Sequence, residues 1–429
     1  MALQDLKMNM EYCSRCSLCK WIPMLEIKSW RFAYDCPSIS RYNLHAYSGG
    51  GRGIAALSLL GGRSSYTDEL LDIIYKCQMC GNCDVMCHEA MELVEPLDTM
   101  RELRIKCVED GQLIPAHTAV IDGLRKEDNM MLKLKADRGK WAEGLGVKDL
   151  TKQKAEVVYH AGCRYSFDEE LWPIARGGLT LLKNAGVDVG IMGKEEACCG
   201  GRAYEIGYMG ELTKYCEHTT EQFRTAGVKT VVTPCSDCYS TFKNLYPMVL
   251  GKATEEMGFE VLHITEYLDR LIKEGKLKPK KQVPLHVTYH DPCHLGRLGE
   301  PYTPWKGEWK KGAGQMVYTE PQKPIRHGVD GVYEPPRDIV KSIPGVMLTE
   351  MERIRHYSWC CGAGGGVKEA YPDFALWTAN ERIEEAKETG AEAIVTACPW
   401  CERNFKDAIA ETGERLKVYD VVELLQEAI

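Results

Sequence analysis

Two stretches, "ACCGG" and "WCCGAGGG", set cysteines side by side at Cys198–Cys199 and Cys360–Cys361. A trans peptide holds neighbouring Cα atoms about 3.8 Å apart, too close for an ordinary disulfide between them. Thiolates are also metal ligands, and the chain has 20 cysteines in 429 residues. A secreted disulfide scaffold is a short chain behind a signal peptide. This chain is long, and "MALQDLKMNMEYC" shows no basic region followed by an apolar core. The cysteines are therefore expected to bind metal in a reducing compartment, the cytoplasm.

The first hundred residues carry Cys13, Cys16 and Cys19 as C-x2-C-x2-C, then Cys36-Pro37, then Cys77, Cys80, Cys83 and Cys87 as C-x2-C-x2-C-x3-C. These resemble bacterial ferredoxin spacings, in which three cysteines wrap one 4Fe–4S cluster and the fourth reaches across to another. That crossing assigns Cys13, Cys16, Cys19 and Cys87 to one cubane cluster, and Cys77, Cys80, Cys83 and Cys36 to a second. Two departures stand out. His88 occupies the place of the usual proline, and sixteen residues separate Cys36 from Cys19, not three. Residues 38–70, with "SGGGRG" and "LLGG", read as an insert between the halves. Zinc is the rival, but it usually takes C-x2-C pairs separated by a longer loop.

Beyond residue 150 the chain repeats itself. "VVYHAGC" ends at Cys163 and "VTYHDPC" at Cys293; "TAGVKTVVTPCSDCYSTF" matches "ETGAEAIVTACPWCERNF". The first copy spaces its thiols as C-x34-CC-x35-C-x2-C and the second as C-x66-CC-x36-C-x2-C. Without the thirty residues 298–327 the gap of 66 would fall to 36, close to the 34 of the first copy. Strands alternating with helical patterns predict small, mostly parallel α/β units whose strand ends gather the cysteines at one edge. The expected architecture is α/β: a ferredoxin-like α-helical two-cluster domain at 1–108, a helical connector at 109–150 packed around it, a first CCG unit at 151–280, and a second at 281–429 carrying the 298–327 insert. The glycines after each CCG would let backbone pass close to an inorganic core and aim N–H groups at its sulfides. "GAGGG" lacks the G-x-G-x-x-G spacing and the preceding strand of a dinucleotide loop. Cys107 and Cys216 fall in helical patterns and read as buried small hydrophobes.

The five-cysteine CCG unit, present twice behind a two-cluster region, resembles the family of heterodisulfide reductase D subunits, which are in effect fusions of the C and B subunits of the soluble enzyme. The resemblance implies that each unit binds a non-cubane 4Fe–4S cluster. Its ligands would be Cys163, Cys198, Cys199, Cys235 and Cys238 in the first, and Cys293, Cys360, Cys361, Cys398 and Cys401 in the second. It also implies a series of two cubane and two non-cubane clusters relaying single electrons to a disulfide, or taking them from thiols. The alternative is an electron-transfer subunit without its own substrate, serving a flavin-linked dehydrogenase or a benzoyl-CoA reductase type complex.

His160 and His290 stand three residues before the first cysteine of each unit. They read either as donors or proton relays beside the clusters or as histidines satisfied at a strand end. His294 and Arg297 would bind an anionic substrate group or lie in a solvated loop. The proline-punctuated insert reads as a structured surface loop that covers the second cluster or docks a partner. A formal charge of −8 argues against nucleic acid, and no apolar run approaches a bilayer span. Membrane contact would need another subunit. No flavin or nicotinamide motif is visible, so the expected partners are redox subunits such as a flavoprotein or a hydrogenase-like donor, with a disulfide or thiol as candidate substrate.

Overall fold

The strands after residue 147 are short and rich in β-branched residues, and several are buried on both faces, as parallel sheets covered by helices require. In the computed structural model, which describes residues 2–314 and 316–429, they form two sheets. The first contains β1 (Lys148–Asp149), β2 (Val157–Tyr159), β3 (Val189–Ile191), β4 (Thr230–Thr233) and β5 (Glu260–His263) in the order β1-β3-β2-β4-β5. The second begins with β6 (Leu285–Tyr289). A two-stranded antiparallel hairpin of β7 (Glu308–Lys311) and β8 (Val317–Glu320) interrupts it. It resumes with β9 (Val346–Leu348), β10 (Ala393–Thr396) and β11 (Lys417–Asp420), in the order β11-β10-β6-β9. Every pairing within the two larger sheets is parallel. Read from β3 to β5 and from β9 to β11 the two orders are the same, so the sequence repeat is a repeat of topology.

Local chemistry repeats too. Each last strand runs straight into a helix through a capping box. His263 accepts from Thr265 N with Glu266 reaching back, and Asp420 accepts from Val422 N with Glu423 reaching back. Each C-x2-C motif opens a helix, with Cys235 or Cys398 at the N-cap and its partner one turn in. Both thiols of each motif therefore face the end of the strand just left.

The N-terminal region is helical, with helices Lys7–Tyr12, Pro37–Tyr42, Gly49–Leu60, Asp68–Tyr75, Asn82–Met91 and Pro96–Glu109. Its core includes Leu57, Ile74, Met100, Leu103 and Cys107. The connector belongs elsewhere than expected. Val120, Ile121, Leu124, Trp141 and Leu150 belong to the core cluster that runs through the two α/β units, and β1 is the edge strand of the first unit's sheet. The physical reason is the amphipathic helix Pro115–Glu127, whose apolar stripe covers that core.

Three buried guanidiniums tie the regions together. Arg104 donates to the carbonyls of Ile74, Tyr75 and Cys77 in the N-terminal region, Glu205 in the first unit and Gly365 in the second. Arg297 donates to Cys80 O at 2.6 Å and Ser358 O at 2.9 Å. Arg353 bridges Glu385 at 2.9 Å and Tyr34 O at 2.9 Å.

Candidate metal centres

The cysteines gather as four sets. Cys13, Cys16, Cys19 and Cys87 line one small cavity, while Cys36, Cys77, Cys80 and Cys83 act on one another electrostatically as neighbours. The glycine-rich segment that reads in sequence as an insert lies between these two sets. A Cβ on Gly50 would sit 3.5 Å from Cys13 Sγ, and one on Gly49 would sit 3.5 Å from Cys83 Sγ. "SGGGRG" is thus part of the site, a role its composition alone does not reveal. Arg52, two residues on, fixes the segment by donating to Ile73 O and Lys76 O at 2.8 and 2.6 Å.

In the first α/β unit the thiols form a chain of contacts: Cys163 to Cys198, Cys198 to Cys199, Cys199 to Cys238, and Cys238 to Cys235. The second unit repeats it as Cys293, Cys360, Cys361, Cys401 and Cys398. All ten are buried and none forms a disulfide. In each unit the glycine of CCG donates its N–H to the first cysteine, Gly200 N to Cys198 Sγ at 3.4 Å and Gly362 N to Cys360 Sγ at 3.3 Å. The remaining glycines of the second run have a different role from the one expected. A Cβ on Gly365 would meet Cys77 O at 2.4 Å and one on Gly364 would meet Gln78 O at 2.5 Å, so this run lets two backbones touch.

The acid–base chemistry shows why these sets suit metal. Hydrogen bonds from their neighbours pull some thiols down, Cys199 chiefly through Cys198 and Cys163 to about 7 through Cys198. The donors are pushed up in turn, as Cys198 and Cys238 are. Burial raises Cys36 to about 12 and also raises Cys83 and Cys87. Such a set cannot hold all its thiolates unaided, because buried like charges repel. Metal ions remove that conflict, and iron–sulfur groups fit the residues present. Cys107 and Cys216 stand apart in the cores, each pushed up to about 12 by burial.

The sets adjoin. Cys80 is buried in one cluster with Cys293 and Cys360, and Cys235 neighbours Cys398 closely enough for each to shift the other's acidity. Among the eighteen clustered cysteines Cys16 alone is exposed.

His160 and His290 are both 1% exposed and keep matched company. Each ring stands edge-on to a phenylalanine, Phe242 at 4.8 Å and Phe405 at 4.9 Å, beside the second cysteine of its CCG. Burial lowers His160, whose Nδ1 lies 3.7 Å from Glu196. His290 Nδ1 accepts from Arg382 at 3.2 Å. Neither His294 nor Arg297 lies in a solvated loop. Arg297 directs Nε and Nη1 to backbone carbonyls, which makes it a tether between regions, and its Nη2 is buried without a partner. His294 Nδ1 is 3.4 Å from Cys293 Sγ and Nε2 is 2.8 Å from Glu205. Burial opposes its charge, but Asp237, Cys293 and Glu205 raise it well above the ordinary histidine value.

Of the insert, Gln315 lies outside the described residues. The insert's start is tied to the first unit, with Ser240 and Asn244 donating to Leu298 O and Glu300 O at 2.9 and 2.8 Å. Its end lies against the N-terminal region, with Lys323 paired to Glu95 and the Arg326 carbonyl against His88 Nδ1 at 2.6 Å. It roofs a cavity of about 590 Å³ beside the helices Asn82–Met91 and Pro96–Glu109.

Comparison with known proteins matches residues 9–91 to the family described as 4Fe-4S dicluster domain. Residues 157–243 and 325–406 match the family described as Cysteine-rich domain. The last match opens inside the insert and so omits β6 and Cys293, which the sheet topology pairs with β2 and Cys163. The D subunit of the dihydromethanophenazine:CoB--CoM heterodisulfide reductase of Methanosarcina acetivorans is 31% identical over 98% of this chain and 94% of its own length. EtfAB:quinone oxidoreductase of Syntrophomonas wolfei is 29% identical over 83% of this chain and 47% of its own. A hypothetical protein from Helicobacter pylori, 10% identical, shares the fold with a TM-score of 0.55 over 88% of this chain and 68% of its own. No helix among the described residues is long and apolar enough to cross a membrane.

Proposed function

Because the chain belongs to the family of heterodisulfide reductase D subunits, we propose that it is the iron–sulfur oxidoreductase subunit of a larger redox complex that reduces a disulfide, or oxidises thiols, at its paired CCG units. Cys13, Cys16, Cys19 and Cys87 would hold one cubane 4Fe–4S group and Cys36, Cys77, Cys80 and Cys83 a second. The two five-cysteine sets would hold non-cubane ones. When bound, such groups take up and release single electrons, chemistry that no side chain of this chain supplies.

The order of contacts carries the reading. Cys16 reaches the surface, Cys80 touches Cys360, and Cys398 touches Cys235. This order suits electron entry at the N-terminal region, passage to the second unit, and arrival at the first. Reduction of RS–SR′ takes two electrons and two protons and yields RSH and R′SH. His294, held protonated by Glu205 and Asp237 beside Cys293, is placed to hold one such proton at Nδ1. The aromatic and aliphatic packing around His160 and His290 keeps water from the inner face of each set.

A second reading, electron transfer without a substrate of its own, is favoured by the similarity to the S. wolfei protein named for EtfAB and quinone. Its donor or acceptor would be a flavin-linked dehydrogenase or a benzoyl-CoA reductase type complex. Anaerobic purification with iron, sulfide and EPR analysis separates the two. About sixteen irons per chain, with a new paramagnetic signal on adding thiols, supports disulfide chemistry. The same iron with no thiol response supports the relay, and about eight irons balanced by zinc refutes the non-cubane sets.

A further inference from the structure

Arg138 lies outside every cysteine motif, in the connector between the short turns Lys135–Asp137 and Lys140–Ala142. Its side chain is nevertheless 1% exposed and reaches the first five-cysteine set. Nη2 lies 3.5 Å from Cys163 Sγ and donates to Ala197 O at 3.2 Å. Nη1 donates to Asp128 O at 3.2 Å and Nε to Glu196 at 3.1 Å. Glu196 in turn accepts from Ala161 N and Gly162 N, the two residues leading into Cys163. All three nitrogens are engaged, so the guanidinium cannot swing away from the sulfur.

The second unit is built differently at the same place. Cys293 meets the imidazole of its neighbour His294, the position of Glu196 is taken by Ser358, and that of Ala161 by Asp291, which pairs with Arg337. Among the described residues, a guanidinium bonded to the leading cysteine belongs to the first set alone.

We infer that Arg138 is a positioning residue that stabilises the reduced state of the first set. The inference rests on the proposed reading that the first set holds an iron–sulfur group. An added electron deepens the negative charge of a buried site. A fixed cation and an N–H donor to sulfur offset that cost and raise the reduction potential. Arginine stays protonated at all working pH values, so the bias does not vary with pH. One electron arrives from the neighbouring set; at Arg138 no bond forms or breaks and no proton moves.

The test is an EPR-monitored redox titration of the anaerobic holoprotein and of Arg138→Gln and Arg138→Lys, with Cys235→Ser identifying the first set's signal. The expected result is a lower midpoint for that signal in Arg138→Gln, an intermediate one in Arg138→Lys, and an unmoved midpoint for the second set. An unshifted first midpoint with iron retained overturns the inference, as do equal shifts of both sets or loss of iron in both variants. If Arg138→Gln alone loses iron, the midpoint of Arg138→Lys decides. If Cys235→Ser removes no signal, the assignment of the first set fails, and not the role of Arg138.

Discussion

Replacing Arg104 with methionine should loosen all three regions at once. The guanidinium is fully buried and, among the described residues, bonds no carboxylate; five backbone carbonyls from three parts of the chain accept from its Nη1 and Nη2 at 2.7–3.1 Å, while Nε is left without a partner. Two of them, Ile74 O and Tyr75 O, are at the C-terminal end of the helix Asp68–Tyr75, where the helix dipole favours a cation. A hydrogen bond to a charged group contributes about 1.5–3 kcal/mol, but the five are not additive, and methionine also removes the cost of burying the charge. The expected net loss is about 3–5 kcal/mol, set by the carbonyls left without donors. For a chain of this length that corresponds to a fall in melting temperature of about 3–6 °C. Lysine should fall between, since an ammonium has three donors and cannot span the same fork. The assay is an anaerobic thermal melt of the loaded protein followed by circular dichroism. A methionine variant melting within about 1 °C of the parent refutes the reasoning, because the five carbonyls would then be satisfied without Arg104.

Gly162→Ala should cost the first unit its metal. The backbone there has φ +76° and a Cβ would lie 2.8 Å from Cys238 Sγ. About four irons should be lost per chain while the other sets remain, and full iron content would contradict this. His117 should make stability fall on acidification. Burial lowers it to about 4, with Arg104 and Arg202 adding to the effect against the Gly366 carbonyl it bonds. The folded state therefore keeps it neutral while the unfolded chain takes up a proton below about 6.5. Its contribution is full above that pH and about 3 kcal/mol is lost by pH 4. Denaturant titrations at pH 7 and pH 5 should differ less for His117→Gln than for the parent, and an equal difference would count against the assignment. Removing the hairpin tip, residues 309–319, should leave iron content unchanged, because β7 and β8 pair only with each other. Loss of iron on that deletion would make the hairpin part of a centre.

The repeat is legible in the sequence because β-branched strands and cysteine spacings are local signals, and both copies carry them. The same spacings bring the thiols into groups, since each motif is a short run that a single turn or helix start can fold around one point. What the sequence hides is long-range. Arg138 and Arg104 sit in ordinary helical or turn patterns, and nothing nearby marks a guanidinium that will meet a sulfur or five carbonyls far along the chain. "SGGGRG" reads as a spacer because glycine runs usually are; its closeness to two cysteine sets is a property of the packed helices. The connector's amphipathic helix is visible, but which core it covers is not.

The backbone contact between Gly364–Gly365 and Cys77–Gln78 has a consequence for how the protein is made. With Cys80 against Cys360 and these glycines pressed on the neighbouring carbonyls, two of the cysteine sets close over each other at a joint with no side-chain slack. Cys80 and Cys360 are both buried at that joint, while Cys36, Cys77 and Cys83 keep partial access to solvent. Docking of the two regions and filling of the sets are therefore coupled, and metal loading before the joint shuts is the order this packing favours.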